Sequence, residues 1–345
     1  MKELFNPAKD HSKIIEIEEN NPLFADRHTM IRGNKIESTE YGADFHVDTS
    51  LGIKISTDSE KLAREIESVF SAGNVQSKPA IEFIYLTKRG ISATDTSEIL
   101  PKPISVGILG DLVVDETLTQ YILAGSDKFG SLESVLFGIY SFERAREGFL
   151  GLHATQIYDS KKHVSHIITG SSGVGKSTVA QLLERLQPGR FIVLADDWVE
   201  IDPSQNNVRP ISTAFGSRAG TLADEMISLN PRIKDKFTSF GKNFYTHEGI
   251  KSPTEVIGSI ILLLDSEYEH SKKGMVDYFI NSNHHIPFMT QIRTEASILP
   301  FSIINRLENM LLNFSKLQKN KNFSAINITS EDIYQNVFNI LKLID

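Results

Sequence analysis

The sequence predicts an α/β protein in which a domain built round a strand, a glycine-rich loop and a helix follows a small α+β domain. Three observations predict it. The run Gly170-Ser171-Ser172-Gly173-Val174-Gly175-Lys176-Ser177-Thr178 fits G-x-x-x-x-G-K-[ST]. An apolar stretch at 164–169 precedes it, and residues 177–186 follow with helical character up to the breaker pair Pro188-Gly189. A second apolar strand, 191–195, ends in Asp196-Asp197, twenty residues beyond Lys176.

The remaining elements follow in chain order. The first forty residues are polar and without clear periodicity. Residues 43–48 and 52–56 read as paired strands. Residues 58–70 read as a helix, with Leu62, Ile66 and Val69 at helical spacing. Stretches 78–87 and 104–109 are further strands. Residues 1–128 therefore form the predicted α+β domain, which carries no catalytic motif. Residues 129–345 form the P-loop domain. It opens with a helix at 131–146, with Leu132, Val135, Leu136 and Ile139 on one face. Strand 153–158, the turn Asp159-Ser160-Lys161-Lys162 and the strand entering the P-loop make an antiparallel hairpin. Later come a strand at 255–264, a helix at 302–317, a strand at 323–328 and a helix at 331–343.

Composition bounds the function. At 345 residues, with 40% hydrophobic and 23% charged content, the chain is long enough for two domains with real cores. A formal net charge of −8 argues against nucleic acid as the main partner, because phosphate neutralisation wants a Lys/Arg excess. The apolar run 257–264 is far too short to span a membrane and closes at Asp265. No secretory signal pattern is evident after Met1, so cytoplasmic residence without membrane partners is the expectation. The absence of cysteine excludes disulfides, thiolate metal sites and thiol nucleophiles.

The chemistry of the motif is specific. Its glycines let the backbone curl so that successive N–H groups, and the N-terminus of the next helix, face phosphate oxygens. Lys176 is placed to reach the β- and γ-phosphates, and the Ser177 hydroxyl to bind Mg²⁺. Asp196 and Asp197 lie beside the loop, where one can hold metal while the other accepts a proton. His153 heads the hairpin leading into the loop, placed either at the γ-phosphate or to orient an acid. His163 and His166 stand three apart on one strand and do not converge on a metal. His284-His285 and Asp115-Glu116 read as solvated, and Trp198 as core filling or a lid over nucleotide.

Leu152-His153-Ala154, the hairpin, GSSGVGKST and LADDWVEI at 194–201 together resemble the HPr kinase/phosphorylase family. That family shares its P-loop fold with phosphoenolpyruvate carboxykinases. The likeness is greatest to its HPr-kinase-like serine kinases, including those of lasso-peptide precursors, and covers residues 130–345 in outline. The resemblance implies an ATP-dependent kinase with Mg²⁺, acting on a hydroxyl-bearing substrate, a serine of a peptide or small protein. It implies that Gly170 through Thr178 bind ATP and that Asp196 is the base. Asp197 would assist or hold metal, and His153 would lie near the transferred phosphate. An arginine usually completes such a site, and Arg218 and Arg293 are the candidates. Homo-oligomers are common in the family.

The sequence departs from that family in two places. No downstream loop matches the one used with HPr, and residues 1–128 do not match the family's N-terminal domain, so HPr and phosphorolysis are not implied. A small-molecule kinase and a nucleotide-gated ATPase or binding module remain alternatives. No N-K-x-D motif points to GTP, and no L-S-G-G-Q-like signature points to a transporter ATPase.

Overall fold

The computed structural model describes residues 31–32, 35–36, 41–46, 52–57, 59–69, 81–87, 104–105, 111–114, 120–124, 129–211, 214–239, 241–247, 255–264, 279–280, 282–283, 299, 301–319, 322–328 and 332–345. Strands and helices mix along the chain, an α/β architecture. Two compact units divide it: Met1–Leu136 with Pro287–Arg306, and Phe137–Ile286 with Leu307–Asp345.

In the first unit, β1 (Ile31–Arg32) and β2 (Lys35–Ile36) make a small antiparallel ladder. A six-stranded sheet follows, built from β3 (Tyr41–His46), β4 (Gly52–Thr57), β5 (Ile81–Leu86), β6 (Ile104–Ser105), β7 (Asp111–Val114) and β8 (Gln120–Ala124). Its order is β3-β4-β5-β8-β7-β6, with β5 parallel to both β4 and β8. The helix α1 (Glu60–Val69) joins the parallel pair β4 and β5, as a crossover requires. Its buried Leu62, Ala63 and Ile66 recur at helical spacing, while Lys61 and Arg64 are exposed. Ile53 and Ile55 of β4, and Phe83 and Tyr85 of β5, are fully buried at alternate positions. The expected strands at 43–48, 52–56 and 78–87 fall on β3, β4 and β5, and the expected helix on α1.

The helix α2 (Phe129–Arg144), whose residues from Phe137 onward belong to the second unit, ends in a 3₁₀ turn at Ala145–Glu147. Gly148 then reverses the chain at φ 93°. The long strand β9 (Leu150–Asp159) is the spine of this unit. Residues 154–159 of it pair with β10 (Val164–Gly170), in the expected antiparallel hairpin. On its other side β9 pairs with β11 (Phe191–Ala195). Residues 150–153 instead pair with β12 (Trp198–Asp202). The helix α3 (Lys176–Leu186) links β10 to β11. The hairpin partner of β12 is β13 (Asn207–Pro210), which touches the start of β17 (Glu255–Leu264). β17 lies parallel to β10 and to β18 (Phe323–Asn327). Pairing thus runs round a closed circuit, β9-β12-β13-β17-β10-β9, while among the described strands β11 pairs with β9 alone, so that β9 fixes the ends of β10 and β11 with respect to each other.

A separate three-stranded sheet, β14 (Ala214–Arg218), β16 (Lys242–His247) and β15 (Ile233–Ser239), is antiparallel throughout. It is accompanied by α4 (Leu222–Ser228), capped by the Thr221 hydroxyl. The helices α5 (Phe301–Gln318) and α6 (Ile333–Ile344, capped by Asp332) follow the expected positions. Val179, Ala180, Leu182 and Leu183 of α3 pack with Ile157, Ile168, Phe191, Val193, Phe215, Ile261 and Leu263 from five strands, and with Val337 and Ile340 of α6. Burial of this kind contributes about 1.5–3 kcal/mol per large side chain. The glycine-rich loop therefore sits on a rigid base. Among the described residues, no helix is long and apolar enough to cross a membrane.

Candidate active site

β10 ends at Gly170, α3 begins at Lys176, and the glycine-rich loop joins them. Gly173 and Gly175 adopt φ of 84° and 100°, backbone that L-residues avoid, and Gly175 is the N-cap of α3. Among the described residues no side chain caps the α3 N-terminus, which leaves its N–H groups open to an anion. Lys176 is 5% exposed, and its ammonium donates to the loop carbonyls of Gly170 (3.1 Å) and Ser171 (3.0 Å). Burial lowers its pKa to about 8, against the pull of Asp197 and Asp196.

Asp196 and Asp197 stand where β11 ends, and their environments differ. Asp196 Oδ1 accepts from Thr155 Oγ1 at 2.6 Å and from Ser177 Oγ at 2.9 Å. Its Oδ2 is buried and has no hydrogen-bond partner among the described residues. Burial, with Asp197 next to it, pushes the Asp196 carboxyl up to about 6. Asp197 takes a left-handed φ of 73°, which aspartate tolerates better than most residues, and so turns its carboxylate away from Asp196's neighbours. Its Oδ1 lies 3.2 Å from His153 Nε2, and its Oδ2 is ion-paired with the Lys242 ammonium. Burial works against that charge, but Lys242 and the His153 hydrogen bond outweigh it and hold the Asp197 carboxyl far below the usual range.

His153 faces oxygen acceptors on both sides. Nδ1 is 3.4 Å from the Ser282 carbonyl and Nε2 is 3.2 Å from Asp197. Burial, reinforced by Lys176, lowers its pKa to about 4, so the ring is neutral and has one proton to give. The shorter contact assigns that proton to Nε2, donated to Asp197. Backbone N–H groups lock the arrangement: Ala154 N–H donates to the Asp197 carbonyl (3.1 Å), and His153 N–H to the side-chain Oδ1 of Asn283 (3.2 Å).

His153, Lys176, Ser177, Asp196 and Asp197 thus converge, although they arrive from β9, α3 and the end of β11. Ser171, Ser172, Val174 and Thr178 complete the loop and the first turn of α3. Arg218 is exposed on β14, and Arg293 lies outside the described residues, as do His284-His285 and Asp115-Glu116. Trp198 is core: it is 3% exposed and stacks on Phe137 at 4.2 Å. His163 lies in the turn before β10 rather than on the strand, and His166 is buried against Ser259.

Sequence reasoning missed Lys242, Thr155 and Asn283. Thr155 follows from the strand period, being two residues past His153 on the same face. Lys242 carries no local signal. It reaches Asp197 across 45 positions, and it fits because Gly216 has no side chain: a Cβ there would fall 2.6 Å from Asp197 Oδ2 and collide with the Lys242 stem.

Among the described residues, no three His, Cys, Asp or Glu side chains are grouped to hold a metal by themselves. A magnesium ion that travels with phosphates needs fewer protein ligands. The unpartnered Asp196 Oδ2 beside the Ser177 hydroxyl fits such an ion, and the bare α3 N-terminus fits the phosphates. Searches of the chain against protein-family models and against curated proteins return no match.

Proposed function

We propose that the protein is an ATP-dependent phosphotransferase that moves a γ-phosphoryl group to a hydroxyl, by resemblance the serine of a peptide or small protein. The observation that carries this reading is the different setting of the two aspartates beside the P-loop. Asp196 shares Ser177 and has a buried carboxylate oxygen without a donor among the described residues, whereas Asp197 is held by a histidine and a lysine.

That difference favours Asp196 as the metal-holding acid and Asp197 as the base, the reverse of the allotment the family resemblance suggests. The raised pKa of Asp196 belongs to the metal-free site, and a dication at its carboxylate would lower it. Magnesium would supply neutralisation of charge on the β- and γ-phosphates. Lys176 leaves its loop carbonyls and binds phosphate oxygens instead. Asp197 accepts the acceptor's proton as the new O–P bond forms, which requires that the Lys242 ion pair holding its carboxyl low first open. The bond from the γ-phosphorus to the β-bridging oxygen breaks, and ADP departs with that electron pair. His153, neutral, keeps Asp197 oriented by its Nε2 donation.

Transfer of label from γ-labelled ATP into an extract, with macromolecules and metabolites separated, tests the reading. Asp197→Asn is expected to bind nucleotide normally yet lower transfer by about 10²–10⁴-fold, the usual contribution of a general base. Asp196→Asn is expected to weaken magnesium-dependent nucleotide binding by about 10–100-fold, the range for lost metal-site partners. Lys176→Ala is expected to lose nucleotide binding and transfer together. Label in a metabolite would move the acceptor to a small molecule, and release of free phosphate alone would replace the kinase with an ATPase.

A further inference from the structure

The P-loop site contains a second lysine that no sequence pattern marks. Lys242 begins β16, in the small antiparallel sheet. It stands directly opposite Arg218 in the β14–β16 register, on the same face as Gly216. Arg218 points to solvent, while Lys242 runs through the gap left by Gly216 and across the Phe244 ring (5.0 Å) to Asp197 Oδ2. Its side chain remains one-third exposed, at 33%, so it is not sealed behind the acid it pairs with. Its charge also bears on Lys176, Asp196 and His153. Four charged groups, two acids and two lysines, thus form one cluster beside the loop.

Resting on the phosphotransferase reading above, we infer that Lys242 is a catalytic residue that binds the transferred phosphoryl group, in the place where an arginine was expected. In the nucleotide-free protein its ammonium is lent to Asp197. A γ-phosphate beside Lys176 offers a denser negative charge than one carboxylate, and a flexible lysine stem follows it. The exchange has two consequences at once. It places a cation on the equatorial oxygens of the group in transit. It also frees Asp197 Oδ2, which then receives the proton of the attacking hydroxyl as the O–P bond forms and the bond to ADP breaks. Lys242 neither gains nor loses a proton in this step. A Cβ at Gly216 would meet the Lys242 stem and Asp197 Oδ2, so the gap that Lys242 crosses depends on this glycine.

The test compares two nucleotides on one protein. Magnesium-bound β,γ-imido-ATP and magnesium-bound ADP are titrated by calorimetry into wild type, Lys242→Met, Lys242→Gln and Lys242→Arg. Both neutral variants are expected to lose about tenfold or more in affinity for the triphosphate, the loss of one charge-assisted hydrogen bond, with ADP affinity nearly unchanged. Label transfer falls with it. Lys242→Arg restores the preference for triphosphate. A residue that only braced Asp197 would leave the triphosphate-to-diphosphate ratio unmoved in both neutral variants, and that result overturns the inference while the kinase reading stands. Wild type that binds neither nucleotide overturns both.

Discussion

Single residues in this protein are set by what burial does to charge, and His166 isolates the effect away from the P-loop. It lies on β10, 2% exposed, with Nδ1 bonded to Ser259 Oγ at 2.7 Å. Asp159, 3.8 Å from Nε2, favours the imidazolium, while Lys162 and Arg190 oppose it. Burial dominates and lowers its pKa from 6.5 to about 4. The folded protein therefore refuses a proton that the unfolded chain accepts below its ordinary pKa. The His166 contribution is flat above pH 6.5, costs stability as pH drops towards 4, and levels below that. The full loss is about 3 kcal/mol. Denaturant melts at pH 7 and 4.5 should show His166→Gln losing less stability than wild type over that interval. Parallel losses would show that other groups carry the acid sensitivity. A different logic governs Glu200, 2% exposed between Arg144 (2.8 Å) and Arg209 (2.7 Å), where a buried charge is tolerated because two guanidinium groups meet it.

Elements meet through positions where one side chain more would not fit. Gly151 of β9 faces Ser141 of α2, and a Cβ at Gly151 would overlap the Ser141 hydroxyl and side-chain carbon. Gly151→Ala should cost about 1–3 kcal/mol, the range for overpacking a dense contact. The double variant with Ser141→Gly should recover at least part of it, so a double-mutant cycle reads the helix–strand contact directly. Additive losses would mean that the strand shifts instead. Such contacts also mark what the sequence can and cannot reveal. β9, β10, α3, β11 and β17 are legible because their apolar runs are long and their ends are punctuated by Gly170, Pro188-Gly189 and Asp196-Asp197. The small sheet is not: IKDKFTS in β15 and KNFYTH in β16 are short and rich in charge, with little alternation to read. Lys242 belongs to that sheet, so the same weakness of pattern conceals a member of the site. The P-loop and acid pair were legible because local backbone geometry fixes their spacing, whereas the Lys242–Asp197 pair depends on tertiary placement.

At the scale of the molecule, the glycine-rich loop, both aspartates, His153 and Lys242 all belong to the unit formed by Phe137–Ile286 with Leu307–Asp345. A ligand stabilises whatever it binds in the folded state alone, by RT ln(1 + [L]/Kd), which is about 2.7 kcal/mol at a hundredfold excess over Kd. For a unit of this size that corresponds to a rise of roughly 5–11 °C in Tm. Hydrogen exchange locates the effect by segment. Magnesium-ATP should slow exchange most in the peptides covering 164–186 and 191–202, where the proposed site would bring α3 N–H groups and the β11 end to the phosphates, and next in 242–247. Segments 52–57, 81–86 and 120–124 of the other unit should change least. Lys176→Ala should erase the protection at saturating wild-type concentrations of nucleotide while keeping the exchange pattern of the free protein. Protection confined to the first unit's strands would place the nucleotide elsewhere and remove the physical basis for assigning phosphoryl transfer to this loop.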